Sequence, residues 1–275
     1  MYISARNVIA CLLLAPIAIH ARINPSQEQR RMLTTICSYQ GPRTFLLSFP
    51  QSGNTWLRYC LEFLTQRPTL HRNRTQPRWH DFHYAHPLAW KAGFDIDEHK
   101  PLIEKIHQDQ ESLLMHNQQK ISLNHDADTL IFILRNPKES IARSEYSSWE
   151  SLLESAWGSS YPHRIYFENL ALFDNWPADR RYLIYYEDLI NAPRETLTAL
   201  LEFLHESTTR LDQFMDEYAD HKARCLALYP NPTSRGSDPL FHSKKLSPAF
   251  RKQVDAWIAD AYPEFSRTYL QRYIE

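Results

Sequence analysis

The sequence predicts an α/β fold, a central parallel sheet flanked by helices. Three observations carry that expectation. Short runs rich in β-branched or aromatic residues, Arg43 to Phe49, Thr129 to Leu134 and Tyr182 to Tyr186, alternate with segments of helical period. That alternation points to parallel strands joined through helices. Each run ends in a polar cluster, at Pro50 to Asn54, Arg135 to Glu139 and Glu187 to Asp188, and open α/β sheets take their ligands at the carboxyl ends of their strands. Finally, 275 residues with a hydrophobic fraction of 43% and a charged fraction of 23% suit one globular domain. The three loops are therefore expected along one edge of the sheet.

Taken in order, residues 1–42 form an extension and residues 43–275 the domain. Val8 to Ile19 is apolar except for Pro16. It has the length of a signal-peptide apolar region and falls short of the roughly twenty residues of a spanning helix. A cytoplasmic location is the expectation, with export or membrane association through this segment as the alternative. After the first strand a helix is expected from Trp56 to Leu64. Gln66 to Pro101, dense in His, Trp, Tyr, Arg and Pro, reads as loops with short helices, a lid or acceptor pocket over the sheet edge. Helical patterns resume at Leu102–Asn117, Ser140–Leu153, His163–Asp174, Pro193–His205, Thr208–Leu228 and Pro248–Ala261, with a short last helix over Pro263–Ile274.

Composition narrows the partners. A net charge of −1 gives no reason to expect nucleic acid. The four cysteines show neither metal spacing nor a disulfide framework. His80, Asp81, His83 and His86 fit no standard metal site, so no metal is expected. Five glycines against seventeen prolines imply turns set by proline. A glycine placed in a polar loop is informative for that reason.

Gly53 is such a residue. Ser48-Phe49-Pro50-Gln51-Ser52-Gly53-Asn54-Thr55-Trp56 runs from a strand through a tight loop into a helix N-terminus. Free backbone N–H groups and the macrodipole make that junction an anion site. Ser52, Gly53, Asn54 and Thr55 offer N–H groups, Ser52 and Thr55 add hydroxyls, and Trp56 offers a flat face to a purine. The plainer alternative is a helix capped by Ser52 with Trp56 in the core. The stretch nearly fits the Walker pattern, but Asn54 stands at the lysine position. At the end of a later strand, Arg135 can take a phosphate bidentately, or pair with Glu139 instead.

These motifs resemble those of the sulfotransferases that use 3′-phosphoadenosine 5′-phosphosulfate. Ser48 to Trp56 is similar to the 5′-phosphosulfate loop, and Leu130 to Ser140 to the 3′-phosphate motif. Tyr185-Tyr186-Glu187-Asp188-Leu189 is similar to a later Tyr-Glu-Asp-Leu segment, and the resemblance runs from Thr44 to the end of the chain. It implies a P-loop-containing nucleotide-hydrolase-like fold. It also implies transfer of a sulfuryl group to a hydroxyl or amine on a small-molecule, glycan or peptide acceptor.

By the same resemblance the backbone of Ser52 to Thr55 holds the phosphosulfate, Trp56 and Tyr186 meet the adenine, and Arg135 holds the 3′-phosphate. The family has a serine eight residues after that arginine, where Arg143 stands here. Arg235 and Gly236 loosely match a loop that reaches over the 3′-phosphate. The general base corresponds to His116, nineteen residues before Arg135. The loop lysine that steadies the leaving phosphate in most soluble members is replaced by Gln51. Two other readings stay open: a non-catalytic nucleotide-binding or interaction protein that kept the fold, and a P-loop kinase.

Overall fold

In the computed structural model the described residues are 41–49, 51–71, 101–106, 115–116, 119–120, 124–144, 161–228, 244 and 246–274. At 71, 115–116, 119–120, 141–144 and 161–164 the description covers the backbone path alone. Five strands form one sheet: β1 (Thr44–Ser48), β2 (Thr69–His71), β3 (Ile103–Ile106), β6 (Thr129–Leu134) and β7 (Arg181–Tyr185). Their spatial order is β2-β3-β1-β6-β7, and every pairing is parallel. β4 (Met115–His116) and β5 (Gln119–Lys120) form a separate antiparallel pair.

Alternation along the central strands divides the core in two. Phe45 and Leu47 of β1 join Leu130, Phe132 and Leu134 of β6 on one face. Leu46, Ile131 and Ile133 point to the other. A strand buried on both faces has to be apolar throughout, which is why TFLLS and TLIFIL contain no internal charge. The first face is covered by α3 (Tyr161–Asp174), α8 (Pro248–Ala261) and the C-terminal turns. The second is covered by α1 (Asn54–Thr65), α5 (Pro193–Phe203), α6 (Leu211–Asp216) and α7 (Tyr218–Leu228). Burying each large aliphatic side chain contributes about 1.5–3 kcal/mol.

The chain leaves β1 through α1 on one face, and leaves β6 through α2 (Pro137–Ser144) to α3 on the other. Neighbouring strands whose connections diverge open a crevice at their carboxyl ends. Here that crevice lies between β1 and β6, between the loops beginning at Phe49 and Arg135.

Several elements differ from the sequence expectation. The helix expected over Leu102–Asn117 is not formed at its start, where Ile103–Ile106 is a strand between β2 and β1. The short apolar spacing of Leu102, Ile103 and Ile106 suits either period. Ile103 and Ile106 face opposite cores, and that two-sided burial decides for a strand. β2 emerges inside a stretch read as loops and short helices. The helix expected over Thr208–Leu228 is interrupted at Glu217, although Phe214, Tyr218, His221 and Cys225 keep the spacing of one stripe against α1. The expected last helix is a single turn, α9 (Pro263–Phe265), followed by a π turn and a 3-10 turn.

Candidate functional site

The loop after β1 is held in its shape by its own side chains. Gln51 and Gly53 both take left-handed backbone conformations, with φ of 67° and 89°. Strained non-glycine backbone of this kind gathers at ligand sites. Asn54 Nδ2 donates to Ser48 Oγ at 3.0 Å, a buried bond that closes the loop across its neck. The residue in the Walker-lysine position therefore serves as a tie rather than a charge. Gly53 is the N-cap of α1; no side chain caps the helix and its first turn carries no acid. The leading N–H groups are thus left for an acceptor lying ahead of the helix. Ser52 is fully buried, and its hydroxyl has no partner among the described residues.

Arg135 reaches that loop from the end of β6. Its Nη1 donates to the Gln51 carbonyl at 2.8 Å, and its Nη2 lies 3.5 Å from Glu139 Oε1. The guanidinium sits 4.1 Å from the ring centroid of Tyr186, the first residue of α4 (Tyr186–Asn191). Gly53 also lies against this ring: a Cβ added there would stand 2.3 Å from Tyr186 Cδ2 and Cε2. Loop, arginine and tyrosine are in mutual contact, so the ends of β1, β6 and β7 converge as the topology required. Of the two partners expected for Arg135, Glu139 is in place, and the guanidinium also borders the loop after β1.

Trp56 is a core residue here, only 9% exposed. Its indole stacks on Tyr59 at 5.6 Å and meets Tyr218 edge-on at 5.5 Å. The half-buried ring of Tyr186 is the aromatic surface at the loop itself. Arg143 lies in α2 and His116 in β4, but the description of both stops at the backbone. Arg235, Gly236, the His80–His86 segment and the N-terminal extension lie outside the described residues.

A buried cation beside β1 is Lys105, which sequence reasoning missed. It pairs in register with Leu46 of β1 and shares the α1 face with Ile103, two residues before it. Lys105 is 8% exposed, and no carboxylate pairs with it among the described residues. Burial, and then the neighbouring Arg58 guanidinium, lower its pKa to about 7. The legible signal was a charged pair set between aliphatic residues, Leu102-Ile103-Glu104-Lys105-Ile106.

A parallel sheet whose first strand ends in a tight loop and a helix N-terminus, overlooked by an arginine from the next strand, is the arrangement of a P-loop-like α/β fold. Within that class the chain belongs to the sulfotransferase-domain family, which residues 41–253 match. Among solved structures, mouse sulfotransferase SULT7A1 complexed with PAP is similar with a TM-score of 0.57 at 14% identity, over 91% of this chain and 95% of that one. Retinol dehydratase, in complex with androsterone and inactive cofactor PAP, is similar with a TM-score of 0.52 at 12% identity, over 86% of each chain. At these identities the two likenesses concern the fold. Comparison with curated proteins returns no match.

Proposed function

We propose that this protein transfers a sulfuryl group from 3′-phosphoadenosine 5′-phosphosulfate to a hydroxyl or amine of a small-molecule, glycan or peptide acceptor. The observation that carries the reading is the uncapped N-terminus of α1 behind Gly53, with Arg135 bonded to the same loop. Family membership and the PAP held by both structural relatives support it. The backbone of Ser52 to Thr55 receives the 5′-phosphosulfate. Arg135 turns from Glu139 and the Gln51 carbonyl toward the 3′-phosphate, with Arg143, Arg235 and Gly236 as further contacts. Tyr186 meets the adenine, and Trp56 backs the loop from the core.

In the reaction the acceptor oxygen or nitrogen attacks sulfur in line. Its bond to sulfur forms as the sulfur–oxygen bond to the 5′-phosphate breaks, and the electron pair stays on the nucleotide product. Positioning and electrostatics carry such a transfer. Gln51 brings a donor without charge, so Lys105 supplies the positive charge that steadies the departing phosphate. A histidine takes the acceptor's proton. By the family resemblance that histidine is His116, which belongs to the β4–β5 pair.

The test is thermal stabilisation by PAP, ADP and ATP, each with and without magnesium, because a ligand bound only to the native state raises Tm. Expected is a magnesium-independent preference for PAP that disappears in Arg135→Ala. A preference for ATP with magnesium, or no shift with any nucleotide, contradicts the proposal.

A further inference from the structure

The loop that carries Arg135 is gripped from an unexpected direction, by the C-terminal end of the chain. Tyr273 lies twenty residues beyond the family match, which stops at 253. It is nonetheless buried, at 8% exposure. Its hydroxyl donates to Glu187 Oε2, and the other oxygen of that carboxylate accepts the Asn136 N–H at 3.2 Å. Its carbonyl accepts a 2.7 Å bond from Lys138 Nζ, which also donates at 2.7 Å to Asp255. One residue therefore holds the turn after Arg135 directly at Lys138 and, through Glu187, at Asn136. Through Glu187 it also holds the residue next to Tyr186.

The remaining anchors leave this grip a specific task. The Arg135 carbonyl is fixed by the Tyr166 hydroxyl at 2.7 Å, from the α3 side. Asn136 Oδ1 accepts from the Lys138 N–H at 2.9 Å and so shapes the turn internally. Neither of these bonds ties the β6 turn to the β7 turn. The Asn136–Glu187 hydrogen bond does tie them, and Tyr273 closes it from behind. Glu187 is 7% exposed, and burial pushes its carboxyl above the usual range while the bonds from Tyr273 and Asn136 oppose that rise. A carboxylate kept there has to be hydrogen-bonded on both oxygens.

We infer that Tyr273 is a positioning residue for the nucleotide site, fixing Arg135 and Tyr186 relative to one another so that the protein discriminates a 3′-phosphorylated nucleotide from one without that phosphate. The inference rests on the proposed function. It makes the last residues of the chain part of the donor site, without contact to the nucleotide.

The experiment is calorimetric titration of PAP and ADP into the wild-type chain, Tyr273→Phe, Glu187→Gln and Glu187→Ala, with Tm recorded for each. Tyr273→Phe keeps the ring and removes the bond to a charged group, an interaction large enough for about a tenfold change in affinity. The expected result is a Kd for PAP raised about tenfold with the Kd for ADP within about twofold of wild type. Glu187→Gln keeps an acceptor for the Asn136 N–H and retains the discrimination, whereas Glu187→Ala loses it. A protein merely loosened by the change would weaken for both nucleotides alike. If wild type prefers PAP and Tyr273→Phe prefers it equally, the inference is overturned and the proposed function stands. If wild type shows no preference for PAP, the proposed function falls and the inference with it. Should Tyr273→Phe not fold, the Glu187 pair decides: equal discrimination in Glu187→Gln and Glu187→Ala overturns the inference.

Discussion

Lys105 is where the chemistry of this site can be read through a single group. Burial and Arg58 bring its pKa from the usual 10.5 to about 7. The unfolded chain therefore binds more protons than the native one between about pH 7 and 10.5, so stability rises with pH across that window and is lost as pH falls through 7. Chemical denaturation at pH 6.5 and 9.5 is predicted to show a gain for wild type, on the order of a few kcal/mol, that Lys105→Met abolishes. An anion bound nearby restores the proton, so PAP binding at pH 8 is expected to take up protons from the buffer. If Lys105 replaces the missing loop lysine, Lys105→Met lowers kcat by about 10²–10³, and Gln51→Lys in that background recovers part of it. A full rate in Lys105→Met contradicts the assignment. The sequence hid this residue because its strand looked helical; a lysine in a strand covered on both faces would have stood out.

At the scale of elements, the site depends on how closely the β1–α1 junction packs on α4. Gly53 is left-handed and lies against the Tyr186 ring. Gly53→Ala combines a backbone penalty of roughly 1–2 kcal/mol with overpacking of roughly 1–3 kcal/mol. Urea unfolding should therefore show a loss of about 2–5 kcal/mol. Adding Tyr186→Ala relieves the clash but not the φ, so the double variant should be less destabilised than the sum of the singles. Strict additivity would mean the two do not touch. The junction itself was legible because it is local: an apolar run, a polar loop with one of few glycines, then a helical period. The strands β2 and β3 were not, since a three-residue or four-residue strand covered on both faces shows no alternation. Helix α8 was legible to the residue because Ser247 caps it, accepting from the Phe250 N–H at 3.1 Å, and Pro248 opens it.

Over the whole molecule, the order β2-β3-β1-β6-β7 places the divergence of the chain between β1 and β6, so the crevice follows from the topology. The sequence implied that the three loops share an edge, but not which strands are neighbours; parallel pairing is set by long-range packing that no local pattern records. The same limit hid the C-terminal contribution. Lys138 to Asp255 and Tyr273 to Glu187 are separated by 117 and 86 positions in the chain, and only the folded structure brings them together. Two layers of helices fix the sheet, the sheet fixes three loops, and the tail locks two of those loops together. The central claim built on that frame is transfer of a sulfuryl group. Its most direct test is incubation of the protein with sulfur-labelled 3′-phosphoadenosine 5′-phosphosulfate and a panel of phenols, sugars, amines and tyrosyl peptides. The account predicts label on an acceptor with one PAP formed per transfer, and a rate lowered about 10²–10⁴-fold by His116→Ala. PAP bound with the expected preference but no label transferred to any acceptor would contradict it, and would leave a nucleotide-binding protein that kept the fold without the reaction.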